Sequence, residues 1–269
     1  MILIDEPKIE LYEGDCIEIM KSMPDNSVDC IITDPPYNIS KEGSNITRNY
    51  KHYNWQRQAD DNWQRQADVK QDFGEWDRCW ETEEDFFDFT ELWFAECVRV
   101  LKEKGWIYIF FDKQKTGIFD LFLSKKYGIK ARTIFTWIKQ NPTPSFRKTN
   151  WISATEHIWV GSKWGELKEG SNIKNFLYQK EMNNYFFTPN SSSYGETEHP
   201  TEKPVKLIKH LITVNSNDGD TILDCFAGSG TTGKAAYELN RNCILIEKEP
   251  EYCEIIKNRM ALCEPFLIR

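Results

Sequence analysis

The tetrapeptide Asp34-Pro35-Pro36-Tyr37 follows the apolar run Val28-Asp29-Cys30-Ile31-Ile32-Thr33 and precedes a long polar stretch. Adjacent prolines remove two backbone donors and fix the local φ angles. The residue before each proline is pushed toward extended geometry. A strand that stops this abruptly makes a rigid corner with one carboxylate, carbonyl oxygens and one aromatic face. Such a corner can accept hydrogen bonds from a flat, amino-bearing ring while the tyrosine stacks on it. For the tetrapeptide alone, a Pro-Pro turn capped by aspartate is the purely structural alternative.

A second group of residues lies near the other end of the chain. Thr221-Ile222-Leu223-Asp224-Cys225 reads as a strand, and Phe226-Ala227-Gly228-Ser229-Gly230-Thr231-Thr232-Gly233 follows it. Glycines 228, 230 and 233 satisfy G-x-G-x-x-G leading into a helix. That pattern allows a tight turn, close approach of backbone to a ligand, and free N–H groups at the helix start. The next strand, Asn242 to Ile246, ends in Glu247, where an acid could hold the hydroxyls of a ribose. These features indicate a nucleoside-containing cofactor, and the glycines alone point first to a nicotinamide dinucleotide. Position argues otherwise. A dinucleotide fold usually opens with its glycine loop and continues through further β-α units, whereas here the chain soon ends at Arg269. The other strands must come from the N-terminal part, so the sheet reads as circularly permuted.

The elements that would position these groups alternate along the chain as in an α/β domain. Strands are expected at 8–12, 28–33, 106–111, 132–138, 156–161, 221–225 and 242–246. Helices are expected at 15–22, 85–102, 115–125, 204–215, 231–239 and 249–261. Phe86, Phe89, Trp93, Cys97 and Leu101 recur at helical intervals and should face the core. Pro204 suits the first turn of its helix. Two stretches stand apart. The polar segment 38–77 contains Asn54-Trp55-Gln56-Arg57-Gln58-Ala59-Asp60 and the same heptapeptide again at Asn62 to Asp68. A solenoid needs longer and more numerous units, so this is a local duplication in a surface loop. Its Trp55, Arg57, Trp63 and Arg65 would also suit stacking on bases and pairing with phosphates. Segment 163–198 is rich in Gly, Asn, Ser and Tyr with little periodicity, and reads as an inserted irregular lobe.

With 269 residues, 40% hydrophobic content and 10 tryptophans, the chain can bury a large core. No apolar run is long enough to cross a bilayer, and the N-terminus lacks a secretion signal. Eight cysteines lie scattered without metal spacing, several in strand patterns, which suits buried, reduced thiols in a cytoplasm. The four histidines also lack ligand spacing, so no metal is expected. The net charge of −8 is unevenly spread. Residues 72–96 are strongly acidic, while Leu121 to Thr155 holds no acid but carries Lys125, Lys126, Lys130, Arg132, Lys139, Arg147 and Lys148. A basic face on an acidic body is the expectation.

The Asp-Pro-Pro-Tyr corner preceding Phe-x-Gly-x-Gly resembles the beta group of S-adenosylmethionine-dependent DNA amino-methyltransferases. Further segments match in order: Leu11-Tyr12-Glu13-Gly14-Asp15-Cys16; Asn141-Pro142-Thr143-Pro144 with Arg147, then Thr155-Glu156-His157; and His199-Pro200-Thr201-Glu202-Lys203-Pro204. Segment 38–77 and most of 163–198 match no family motif, and Glu247 stands where the family often has Asp. The resemblance implies a seven-stranded, circularly permuted Rossmann-like sheet with an inserted recognition lobe. Residues 1–162 would form the catalytic half, including a loop at 38–77 expected to move. Residues 163–198 would form the target-recognition lobe, and 199–269 the cofactor-binding half of the same domain.

It also implies roles. Asp34 and the Pro35 carbonyl would hold and activate an exocyclic amine, in a corner completed by Pro36, and Tyr37 would stack on a flipped-out base. The cofactor would be S-adenosyl-L-methionine, with Asp15 and Cys16 near its adenine and Glu247 on its ribose. Asp224, Phe226, Gly228, Ser229 and Gly230 would receive the methionine moiety, and His199, Thr201 and Lys203 would line the opposite side. Lys139, Arg147 and Lys148 would hold phosphates of double-stranded DNA, making binding salt-dependent. A homodimer and a cognate restriction endonuclease are further partners the resemblance allows, and a cytoplasmic location follows. An Asp at the first motif position goes more often with adenine N6. Cytosine N4 is the alternative amine, and a dinucleotide-dependent oxidoreductase is the alternative from another class.

Overall fold

The computed structural model describes residues 6–38, 45–46, 69–70, 80, 82–142, 151–163, 175–176, 178–189 and 202–269. In chain order the N-terminal elements are β1 (Ile9–Glu13), α1 (Cys16–Ser22), β2 (Val28–Thr33), β3 (Asn45–Ile46), β4 (Val69–Lys70) and α2 (Glu83–Val100). Then come β5 (Leu101–Phe111), α3 (Ser124–Lys126), β6 (Ile129–Lys139), β7 (Thr155–Lys163) and β8 (Tyr185–Thr188). The last are α4 (Val205–Asn215), β9 (Thr221–Asp224), α5 (Thr231–Tyr237), β10 (Asn242–Glu247), α6 (Pro250–Met260) and β11 (Phe266–Ile268). The chain forms two compact units, Met1–Pro35 with Phe89–Arg269, and Pro36–Asp88. In the second unit β3 and β4 pair antiparallel, Asn45 opposite Lys70. The duplicated heptapeptide lies outside the described residues.

The first unit is built on one sheet of nine strands, in the order β11-β1-β10-β9-β2-β5-β7-β6-β8. All seven strands expected from the apolar runs are in it. The two additional ones, β8 and β11, sit at its edges and are four and three residues long, too short to show a periodicity. β8 comes from the segment expected to be an irregular lobe, and it pairs in parallel with β6. The glycine-loop strand β9 lies mid-sheet between β10 and the N-terminal strand β2, which is the permuted order expected.

Central strands are covered on both faces, which explains their unbroken apolar runs. Ile31, Ile107, Ile109, Leu223 and Leu245 are all fully buried. On α2, Phe86, Trp93 and Cys97 are buried as the helical spacing required, and Phe89 is half-buried. The helix stops at Val100 and Leu101 already belongs to β5, which is irregular near Lys104, where φ is 70°. The helix expected at 115–125 is mostly a π-helical turn, Phe119–Leu123, before the short α3. Pro204 is the extended residue just before α4 rather than its first helical residue.

One strand runs against the others. β7 is antiparallel to both β5 and β6. Its first residues therefore lie at the carboxyl edge of the sheet, where β2, β5 and β6 end.

Candidate active site

β2 and β9 are parallel neighbours, with Cys30 opposite Ile222 and Ile31 opposite Leu223. From this seam the sheet continues through β10 on one side and β5 on the other. Open parallel sheets bind ligands beyond the carboxyl ends of strands where the connection changes side. The seam brings together the ends of two motifs far apart in sequence. Thr33 Oγ1 and Cys225 Sγ lie 3.4 Å apart, and Asp34 follows the first as Phe226 follows the second.

Beyond β9, Asp224 is buried. Its Oδ2 accepts from Thr232 Oγ1 at 2.6 Å and its Oδ1 from the Phe226 N–H at 3.2 Å. Burial pushes its pKa up to about 7, although these hydrogen bonds oppose the rise. The loop then turns through Gly228 and Gly230, at φ 52° and 75°, values that favour glycine. A Cβ at Gly230 would also crowd Ile256, at 3.1 Å. The ring of Phe226 anchors the loop edge-on to Phe89 and Trp93 of α2, at 6.2 and 5.6 Å between centroids.

Glu247 ends β10 and is buried. Its Oε2 accepts from Gly228 N–H at 2.7 Å and its Oε1 from the N–H groups of Lys248 and Glu249, both at 2.9 Å. Burial raises its pKa against those donors. The neighbouring β1 leads to Gly14, whose N–H donates to the Glu247 carbonyl at 2.8 Å. Next, Asp15 caps α1 by accepting from Ile17 and Glu18 N–H at 3.0 and 3.2 Å. Cys16 is buried, and its thiol is pushed far up by burial, then by Cys225 and Asp15.

The loop is braced from behind. Arg259 on α6 donates to Ser229 O, Ser229 Oγ and Thr231 Oγ1 at 2.9, 3.1 and 2.8 Å. Its other terminal nitrogen pairs with Glu202. Sequence reasoning assigned nothing to Arg259 or to Glu202; the spacing of α6 shows only a helix.

Beyond β2 the carboxylates are held by cations. Lys203 Nζ pairs with Asp34 Oδ2 and lies 3.6 Å from Glu156 Oε2. Glu156 Oε1 is 2.6 Å from Lys139 Nζ. The Lys203 ammonium also lies over the Phe110 ring, 5.1 Å from its centroid. The side chains of Lys203 and Lys139 are 11% and 14% exposed and those of Asp34 and Glu156 are 25% and 29% exposed, so this is a partly buried row of alternating charges. Burial would lower the Lys203 pKa, but Asp34 and Glu156 together raise it. Burial would raise the Glu156 pKa, but Lys203 and Lys139 together lower it.

Lys203, expected to line the cofactor, pairs with Asp34 of the proline corner, and Lys139, expected at a phosphate, pairs with Glu156. Glu156 was quoted only as part of a motif; its position between basic residues at the start of a strand was the available signal. Pro36 and Tyr37 are half-buried and open the second unit. Arg147, Lys148, His199 and Thr201 lie outside the described residues.

The β9–β10 side suits a nucleoside with a cationic tail. It has a turn with glycines at 228 and 230, a buried acid at the end of β10, and, among the described residues, no ion-pair partner for Asp224 or Glu247. Among the described residues no cluster of His, Cys, Asp or Glu could hold a metal ion, and no helix is long and apolar enough to cross a membrane.

Comparison with known proteins agrees with this geometry. The profile of a family described as DNA methylase matches residues 28–258. The type II methyltransferase M2.MboI of Moraxella bovis is 31% identical over 269 residues, covering 98% of this chain and 91% of its own. M.HinfI of Haemophilus influenzae is 31% identical over 266 residues, covering 95% and 69%. Among solved structures, the M1.HpyAVI–SAM complex superposes with a TM-score of 0.66 at 25% identity, covering 94% of this chain and 98% of that one. The cytosine-N4-specific PvuII DNA methyltransferase shares the fold, with a TM-score of 0.64 at 20% identity, covering 98% and 95%.

Proposed function

The chain belongs to the DNA methylase family of N6 and N4 amino-methyltransferases, whose cofactor is S-adenosyl-L-methionine, and we propose that it methylates the N6 amine of adenine in double-stranded DNA. The observation that carries this reading is the seam itself, where the Asp34 corner and the glycine loop end side by side on β2 and β9. Adenine is favoured by the aspartate at position 34.

When bound, S-adenosyl-L-methionine supplies a methyl group on a sulfonium, open to in-line attack. Asp224, Phe226, Gly228, Ser229 and Gly230 would hold its methionine end, Glu247 its ribose, and Asp15 and Cys16 would border its adenine. The chain's remaining task is to make a poor nucleophile attack. An exocyclic amine has its lone pair delocalised into the base. Hydrogen bonds from its N–H groups to Asp34 and to the Pro35 carbonyl hold the nitrogen nearer tetrahedral geometry and free that lone pair. A carboxylate offers about four acceptor positions, so the contact with Lys203 does not exhaust Asp34. Tyr37 stacks on the base, which must leave the duplex to reach the corner. Arg147 and Lys148 hold phosphates.

Incubation of the protein with DNA and cofactor labelled in the methyl group, followed by nucleoside chromatography, tests the reading. Label in N6-methyladenine is expected. Label in N4-methylcytosine would overturn the choice of amine, and no label in DNA would overturn the whole. Asp34→Ala is expected to lower single-turnover methylation about 10³-fold, as loss of a positioned acid-base group does, with cofactor affinity nearly intact.

A further inference from the structure

We propose that Lys203 is a positioning residue for Asp34, and that Glu156 and Lys139 hold it in place as the rest of a four-charge row. This deepens the reading above and rests on it. The segment containing Lys203 was expected to line the cofactor, yet its ammonium pairs with Asp34. The residue before it, Glu202, reaches the other way, to Arg259 and through it to Ser229 and Thr231 of the glycine loop. Lys203 precedes Pro204, which favours an extended backbone there, and adjacent residues of extended chain point to opposite sides. One dipeptide therefore reaches both halves of the site. Glu202 serves the cofactor loop and Lys203 serves the corner that receives the amine.

The groups around Lys203 fix what it can do. Asp34 faces it from the end of β2, Glu156 from β7, and the Phe110 ring from β5. Lys139 at the end of β6 faces it through Glu156, and Glu202 beside it is engaged by Arg259. A nearly buried ammonium needs anions to stay charged, and Asp34 alone would leave it dependent on the group it positions. Glu156 supplies a second anion that takes no part in the reaction. Lys139 in turn compensates Glu156 when Asp34 turns toward a substrate amine. The row thus keeps Asp34 aimed and lets it exchange partners without stranding a buried charge.

Four variants, Lys203→Met, Lys203→Arg, Glu156→Gln and Glu156→Asp, are compared with the native protein. Each is assayed for single-turnover methyl transfer to DNA across pH, and for cofactor affinity by calorimetry. Lys203→Met is expected to slow transfer about 10²-fold, the scale of losing one preorganised charged donor, with cofactor Kd changed less than about threefold. Lys203→Arg restores part of the rate, which separates charge from folding. Glu156→Gln moves the alkaline limb of the rate profile down by about one pH unit, because Lys203 loses an anion. Glu156→Asp recovers the native profile. The inference is overturned if Lys203→Met weakens cofactor binding as much as it slows transfer, or if Glu156→Gln leaves the alkaline limb unmoved. A native protein that transfers methyl to DNA while Lys203→Met does so equally well overturns this inference alone. A native protein that transfers none overturns the proposed function as well.

Discussion

On the β9–β10 side, Asp224 and Glu247 are buried with hydroxyl and backbone N–H donors, and among the described residues neither has an ion-pair partner. On the β2–β7 side, Asp34 and Glu156 face ammonium groups. Burial wins in the first region and the pKa values of both acids rise. Cations win in the second, and the pKa of Glu156 falls. Under the proposed function each arrangement would match its ligand. Acids without an ion-pair partner among the described residues would favour a cationic cofactor, which would supply the missing charge on binding. A compensated row would suit a neutral base, which brings none.

The comparison can be broken most directly through Glu156→Gln against Glu247→Gln. The first leaves two buried ammoniums with one carboxylate and should destabilise the fold by about 3 kcal/mol, the scale of breaking a buried pair. The second strands no cation but sets an amide NH2 against a backbone N–H, and should cost about 1–2 kcal/mol. Urea unfolding measures both, and equal losses would show that the two regions do not differ as described. An effect opposite in sign is expected from Asp224→Asn. Because the folded pKa of about 7 lies above the ordinary 3.8, the unfolded chain ionises first as pH rises, and native stability is lost across that window. The amide removes this cost, keeps its oxygen for the Phe226 N–H and can donate to the Thr232 hydroxyl. Its melting temperature should therefore exceed that of the native protein by a margin that grows from pH 4 to about pH 7, then levels. A margin independent of pH would mean that Asp224 carries no uncompensated charge. A further loss is expected from Gly230→Ala. The left-handed φ of 75° and the contact with Ile256 should cost about 1–2 kcal/mol. That cost should appear as weaker cofactor binding with Asp34-dependent chemistry unchanged at saturating cofactor. A fall in the saturated rate would mean that the two regions are not separable.

Much of this was legible in the chain. The central strands β2, β5 and β9 follow from apolar runs because they are buried on both faces, whereas β1 and β6 show the alternation of strands with a more exposed face. The Asp34 corner and the glycine loop are legible because proline and glycine constrain the backbone locally, whatever surrounds them. Less legible was everything that depends on distant partners. β8 and β11 are strands because an edge was available to pair with, as Tyr185–Thr188 shows beside β6. Lys139 looks like a free surface cation in a basic stretch, and only the neighbouring strand β7 places Glu156 against it. Lys203 belongs by motif with the cofactor, and its contact with Asp34 spans most of the chain.

The sequence by itself determined seven of the sheet's nine strands, most of the helices, the proline corner and the glycine turn, the family resemblance and, through chain order, the permuted sheet. These rest on local backbone chemistry and on periodicities that read directly from residue types. Only the tertiary structure decided how charge is distributed between the halves of the site. The antiparallel β7 puts the start of a strand at the edge where the others end, and so delivers Glu156 between Lys139 and Lys203. Whether a buried acid meets a cation or only N–H groups depends on which strand ends share that edge, and that is fixed by packing.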